Sequence, residues 1–295
     1  MSTAERAAWR DPALGEGRVL DLPKGRVEVF EAGSGAPIVF VHGLLVNANL
    51  WRKVVAQLAP DFRCIALDLP LGSHRHPSGD GADLSATGLS DLIADAIEAL
   101  GLEDVTLVGN DTGGALCQMV VTRRPERIGR LVLTSCDYRD NFPPPMFGYF
   151  KPAARIPGAF KLLMAPMRLR APRHLPFAFG WLVKRPIDRE AEDSYVLAAI
   201  TRPEIASDVK RAVLALDKRD SNEAADRLGG FTKPALIAWS REDRFFKPEH
   251  GEQLARDLPG ARLEWIDDAR TFSPEDQPGR LAELIAGFVR EPAAT

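Results

Sequence analysis

Short apolar runs and amphipathic stretches alternate along most of the chain. The runs "APIVFVHG" (36–43), "FRCIALDLP" (62–70), "VTLVGND" (105–111), "GRLVLTSC" (129–136), "PALIAWS" (234–240) and "ARLEWIDD" (261–268) are rich in β-branched residues and leucine. They lack strict two-residue alternation, as parallel strands covered on both faces do. Helical spacing marks "NLWRKVVAQLA" (49–59), "GLSDLIADAIEALG" (88–101), "GALCQMVVTRRP" (114–125), "PEHGEQLARDLPG" (248–260) and "PGRLAELIAGFVRE" (278–291). Strand and helix in turn predict an α/β layered fold with right-handed crossovers. Two earlier runs, "GRVLDLP" (17–23) and "RVEVFEAG" (26–33), are close enough to form an edge hairpin.

This rhythm stops between about Tyr138 and Leu228. That stretch has no convincing strand, is rich in Pro and Phe, and carries helical segments such as "REAEDSYVLAAI". It predicts a helical cap at 138–228 set into a core formed by 1–137 and 229–295. The core should hold a mostly parallel sheet of eight strands, and the cap should follow the sixth.

Composition narrows the class. At 295 residues the chain can bury a sizeable core. Its 45% hydrophobic and 27% charged residues are ordinary for a globular protein, and its net charge of −3 gives no overall electrostatic footprint for nucleic acid or an anionic membrane. No apolar run has bilayer-spanning length, and the N-terminus has no signal-peptide core, so integral membrane association is not expected. The segment 151–176 is locally basic and apolar; it reads as a basic rim on a helical lid, with a membrane surface as the alternative. Cys64, Cys117 and Cys136 are scattered in apolar contexts, which suits reduced thiols in a cytoplasmic protein. The five histidines show no metal-ligand spacing, and neither metal nor cofactor is expected.

Chemistry concentrates in "TLVGNDTGGAL" (106–116): a buried strand, a turn Gly109-Asn110-Asp111-Thr112-Gly113, then a helix start. The glycines allow a strained turn that raises Asp111 at the end of a sheet. The backbone N–H groups of Thr112 and of Leu44, which follows His42-Gly43, are placed to hold a developing oxyanion. An aspartate there can attack a saturated or acyl carbon and form an ester or anhydride. A plain helix N-cap is the bland alternative, but it accounts for neither the flanking glycines nor the companion motifs.

Those companions carry a resemblance. "FVHGLLVNANLW", "DLPLGSHRHP", "GNDTGG" and "WSREDRFFKPEH" resemble, in order and spacing, the oxyanion loop, pocket-bordering loop, nucleophile elbow and acid-bearing segment of α/β-hydrolases. The resemblance covers nearly the whole chain and points to the aspartate-nucleophile branch of haloalkane dehalogenases and epoxide hydrolases. It implies Asp111 as nucleophile, Asp243 as catalytic acid and His42 as a structural residue. It also exposes a departure. The family's catalytic histidine belongs where "IDDARTFSPEDQP" has Thr271. Threonine cannot take a proton from water, so turnover through an aspartyl ester should stall unless another base reaches the site.

His74 and His76 are the sequence's other candidate bases, each with a loop-packing alternative, and Asp137 is a candidate second carboxylate. Arg270, beside Thr271, could pair with Asp111 or Asp243, or face solvent. Thr112 stands where dehalogenases carry a halide-binding tryptophan. Tyr138, Tyr149 and Tyr195 are candidate epoxide-protonating groups, with ordinary packing as the alternative for each. A pocket-facing set of Phe142, Met146, Phe147, Phe150, Phe177, Phe179 and Trp181 favours a small hydrophobic substrate of epoxide, haloalkane or ester type. Three readings stand: a hydrolase with atypical or impaired turnover, a lyase, isomerase or cyclase using Asp111 as general base, and a silent ligand-binding protein. A homodimer is the one protein partner left open.

Overall fold

A computed structural model describes residues 1–291, so the last four residues of the expected core segment 229–295 lie outside the described residues. Eight strands form one sheet: β1 (Glu16–Leu22), β2 (Gly25–Ala32), β3 (Pro37–Val41), β4 (Arg63–Asp68), β5 (Val105–Asp111), β6 (Ile128–Cys136), β7 (Ala235–Ser240) and β8 (Arg262–Ile266). Their order is β1-β2-β4-β3-β5-β6-β7-β8. β1 and β2 form the antiparallel hairpin and β2 runs antiparallel to β4, while every pair from β4 to β8 is parallel. Each apolar run of the sequence is thus a strand of this sheet.

The central strands β3, β4 and β5 are almost wholly buried, and their alternate residues feed two different layers. Ile38 and Phe40 pack with Trp51, Leu58 and Phe288 on one face. Val39 and Val41 pack with Leu92, Leu116 and Val120 on the other. Continuous apolar strands are what two covered faces require. β1, by contrast, is largely exposed along an edge.

Between β6 and β7 the chain is helical, with Phe150–Arg155, Ala159–Met164, Arg170–Arg173, Arg189–Thr201, Pro203–Ala215 and Lys218–Arg227 and no strand. Residues from 143–182 and Val196 roof the ends of β3 and β5 at Leu44 and Asp111, where open α/β sheets place ligands. Two short helices of the core, Thr3–Ala8 and Ser273–Asp276, escaped the periodicity argument. Thr3–Ala8 is too short for a helical repeat, yet Ser2 and Glu5 close a capping box that the S-x-x-E spacing announces. No described helix is long and apolar enough to cross a membrane.

Candidate active site

β5 delivers Asp111 at its C-terminal end, and the helix Thr112–Arg123 starts at the next residue. Asp111 has φ 54° and ψ −134°, a conformation disfavoured for a residue with a side chain and held here by its surroundings. Gly113 permits the turn, because a Cβ there would sit 2.5 Å from the carbonyl oxygens of Val41 and His42. Gly43 permits the carboxylate itself: a Cβ at 43 would lie 2.1 Å from Asp111 Oδ2. The Leu44 amide therefore reaches Asp111 Oδ2 at 3.2 Å, and the Thr112 amide, next in the chain, helps to lower the carboxyl pKa.

His42 supports the Gly43–Leu44 loop from behind. Its Nδ1 lies 2.8 Å from Gly43 O, and its Nε2 accepts from the Leu69 amide at 2.9 Å. That pairing assigns the proton to Nδ1. Complete burial holds the ring neutral, with its pKa pushed down to about 4.

Two further carboxylates lie near Asp111. Asp137, one residue beyond β6, accepts from Thr112 Oγ1 at 3.0 Å, while its Oδ1 has no partner among the described residues. The Thr112 hydroxyl is thereby engaged by Asp137. Asp243, just beyond β7, accepts from the Phe245 and Phe246 amides at 2.8 and 2.9 Å and from Thr271 Oγ1 at 3.0 Å. Its Oδ2 has no hydrogen-bond partner among the described residues. Burial pushes the Asp243 carboxyl up to about 6, against the donors that favour its ionised form. Burial, with the Asp243 charge adding to it, also raises Asp111 well above the usual carboxylate range; Asp137 is raised by burial and by Asp111.

Thr271 is fully buried, and its carbonyl accepts from Asn110 Nδ2 at 2.7 Å. Asn110 also reaches Thr134 Oγ1, so the residue before Asp111 ties the Thr271 loop to β5 and β6. Sequence reasoning passed over Asn110. Its position inside an otherwise apolar strand was the available signal, since a buried amide needs partners.

The other expected pocket residues are dispersed. His74 sits with Nδ1 3.0 Å from Gly72 O and Nε2 3.1 Å from Asp208 Oδ2, joining the loop after β4 to the cap. His76 is partly exposed beside Glu28. Neither lines the cavity above Asp111, because their loop turns under the helix Pro203–Ala215. Arg270 pairs with neither Asp111 nor Asp243; its Nη1 donates to Gly180 O and Val183 O at 2.7 and 3.0 Å, fastening the loop to the cap. Tyr138 is engaged by Asp257 and Arg139, and Tyr195 by Glu275 and Arg52, which leaves Tyr149 at the cavity.

That cavity, of about 120 Å³, has Asp111, Thr112, Leu44 and Leu45 at its floor. Its volume is in the range that admits a benzene-sized molecule. Phe147, Phe150, Phe177 and Phe179 line it as expected, but Phe142, Met146 and Trp181 do not. Phe142 belongs instead to the layer beneath the sheet, with Trp239 and Phe246. Leu163, Met164 and Met167 complete the roof.

A mostly parallel eight-stranded sheet, a helical insertion after its sixth strand and a strained aspartate on the strand–helix turn define the architectural class. The alpha/beta hydrolase fold model matches residues 36–278, and the chain belongs to that family. Haloalkane dehalogenase 2 of Mycobacterium tuberculosis is 27% identical over 92% of this chain and 93% of its own length. The uncharacterised hydrolase YugF of Bacillus subtilis is 28% identical over 86% of this chain and 89% of its own. Among solved structures, haloalkane dehalogenase DatA of Agrobacterium tumefaciens superposes with a TM-score of 0.74, at 22% identity, over 95% of this chain and 99% of that one.

Proposed function

We propose that the protein is a hydrolase-type enzyme in which Asp111 attacks a small apolar electrophile of the haloalkane, epoxide or ester class, and in which release of the resulting Asp111 ester is slow. One observation carries this reading: the Asp111 carboxylate stands at φ 54° on the floor of an apolar cavity with Leu44 N–H on its Oδ2. The similarity to haloalkane dehalogenase 2 supports it.

In the first step an Asp111 oxygen bonds to carbon as the carbon–halogen bond breaks, and the halide leaves with the electron pair. With an epoxide the ring C–O bond breaks instead, and Tyr149 is the phenol at the cavity able to protonate the oxygen. With an ester, Asp111 adds to the acyl carbon and expels the alkoxide, leaving a mixed anhydride. In the second step water adds to the Asp111 carbonyl carbon, and the negative charge develops on the oxygen faced by the Leu44 and Thr112 amides. The attacking water must lose a proton. No histidine lines the cavity, and the Thr271 hydroxyl is committed to Asp243. The aspartyl intermediate should therefore accumulate.

A second reading rests on the raised Asp111 carboxyl: an acid held near neutrality is suited to act as general base in a lyase or isomerase. Intact-mass spectrometry after incubation with a haloalkane, an epoxide and an ester separates the two. A stable mass gain mapped to Asp111, absent in Asp111→Asn, supports the nucleophile. Turnover of any substrate without an adduct at any time supports the base, and neither adduct nor turnover leaves a binding protein. The reducing interior of a cell is the compartment proposed, since Cys64, Cys117 and Cys136 are all free and buried.

A further inference from the structure

Residues 141–187 contain eight Lys and Arg and no Asp or Glu. The same stretch holds seven of the nine exposed large apolar side chains among the described residues, including Leu162 at 76% and Leu169 at 67% exposure. Neither concentration is explained by the cavity. Along Ala159–Met164 and the turn Ala165–Arg168, Leu163, Met164 and Met167 face the cavity, whereas Lys161, Leu162, Arg168 and Leu169 point to solvent. Monomeric proteins rarely leave such a cluster uncovered without a use for it.

Half of the charges in this stretch are unlike those elsewhere; Arg170, Arg173, Lys184 and Arg185 are held in ion pairs with Glu192, Asp193 and Asp268, and the other four are not. Most of the chain's arginines outside it are held in ion pairs, for example Arg123 with Asp91 and Arg290 with Asp61. Lys151, Arg155, Lys161 and Arg168 have neither an ion-pair nor a hydrogen-bond partner among the described residues. Their carbon stems lie in sequence beside Ile156, Leu162 and Leu169, an arrangement that lets apolar groups enter an interface while cations stay at its polar level.

We propose that this face of the cap is a membrane-docking surface for anionic phospholipid bilayers. The absence of any carboxylate across the stretch gives charge complementarity to a phosphatidylserine-type surface and opposes pairing with a second copy of the same basic face. Tyr149 and Phe177 belong both to the exposed set and to the cavity wall, so the cavity mouth opens within the patch. Docking would set that mouth against the apolar phase in which hydrophobic substrates partition. The helices are short and none spans a bilayer, so the attachment is peripheral and reversible. The inference does not depend on what Asp111 does.

Co-sedimentation of the full chain with sucrose-loaded vesicles tests it. With about one-third phosphatidylserine in phosphatidylcholine, the protein should bind at physiological salt and be released at about 0.5 M NaCl. Pure phosphatidylcholine should bind it at least roughly tenfold more weakly, since each cation near an anionic surface is worth roughly fivefold. The variant K151Q/R155Q/K161Q/R168Q should lose that preference. The variant L162S/L169S should bind both vesicles less. All of these positions are at least partly exposed, so both variants should melt like the wild type. No sedimentation with phosphatidylserine vesicles, or equal binding by wild type and both variants, overturns the proposal. A self-associating protein that L162S/L169S converts to monomer, with no vesicle binding, overturns it in favour of a second copy.

Discussion

Thr271 Oγ1 donates to Asp243 Oδ1 at 3.0 Å, with both side chains buried. The hydroxyl satisfies the acid's need for a donor, which keeps Asp243 in place, but it brings no lone pair of useful basicity towards a water at Asp111. The carboxylate geometry at the end of β7 thus persists without an imidazole to orient.

Under the proposed mechanism, Thr271→His should supply an imidazole base beside Asp243. If the Asp111 intermediate stalls in the wild type, the substitution should raise steady-state turnover by about 10²–10⁴-fold and abolish the accumulated adduct. The site is fully buried, so the larger ring should cost about 1–3 kcal/mol of stability. Pre-steady-state kinetics on one haloalkane check this; a wild type that already turns over rapidly through an Asp111 adduct shows that the base comes from elsewhere.

Adduct formation should rise with pH. In the proposed reaction the attacking form is the carboxylate, and burial with Asp243 nearby holds Asp111 protonated above the usual carboxylate range. The rate should level off only after that raised pKa is passed. Measuring adduct mass against time at several pH values checks it, and a rate flat from pH 4 upward contradicts it.

Asp243 sets a second pH dependence with the opposite effect on stability. Its folded pKa of about 6 lies above the ordinary 3.8, so the folded chain retains a proton that the unfolded chain has lost. Stability is highest below about pH 4 as far as this group is concerned, and falls by about 3 kcal/mol as pH rises through 6. Asp243→Asn keeps an oxygen for the Phe245 and Phe246 amides and should flatten this part of the melting-temperature profile.

Gly43→Ala should disable the site with the fold otherwise in place. The added Cβ would meet Asp111 at 2.1 Å, displacing the carboxylate from the Leu44 amide. We expect loss of adduct formation and about 1–3 kcal/mol of destabilisation, read by mass spectrometry and thermal melting.

Arg270→Ala should loosen the cap without altering charge selectivity. The guanidinium holds Gly180 O and Val183 O, and its loss should cost about 1–3 kcal/mol. Affinities for a carboxylic acid and its methyl ester should shift together; selective loss of the acid would place the charge in the cavity after all.

The sequence alone determined the sheet and the position of Asp111. Buried parallel strands need unbroken apolar runs, and a strained turn against neighbouring backbone needs Gly109 and Gly113; both are local demands written in local residues. Its resemblance to α/β-hydrolases also marked Thr271 as the position where a histidine is expected. Tertiary structure decided everything that depends on the direction of a side chain leaving a loop or cap. His74 was expected at the site because its loop leaves β4 on the ligand-binding side of the sheet, yet its ring is taken by Asp208, 134 residues further on. Arg270 was one residue from the site and turns to carbonyls near position 180. Phe142 and Phe147 have similar composition around them, but one lies beneath the sheet and the other roofs the cavity. Short cap helices have little periodicity, so which face turns inward is set by packing against the core and by nothing in the helix itself.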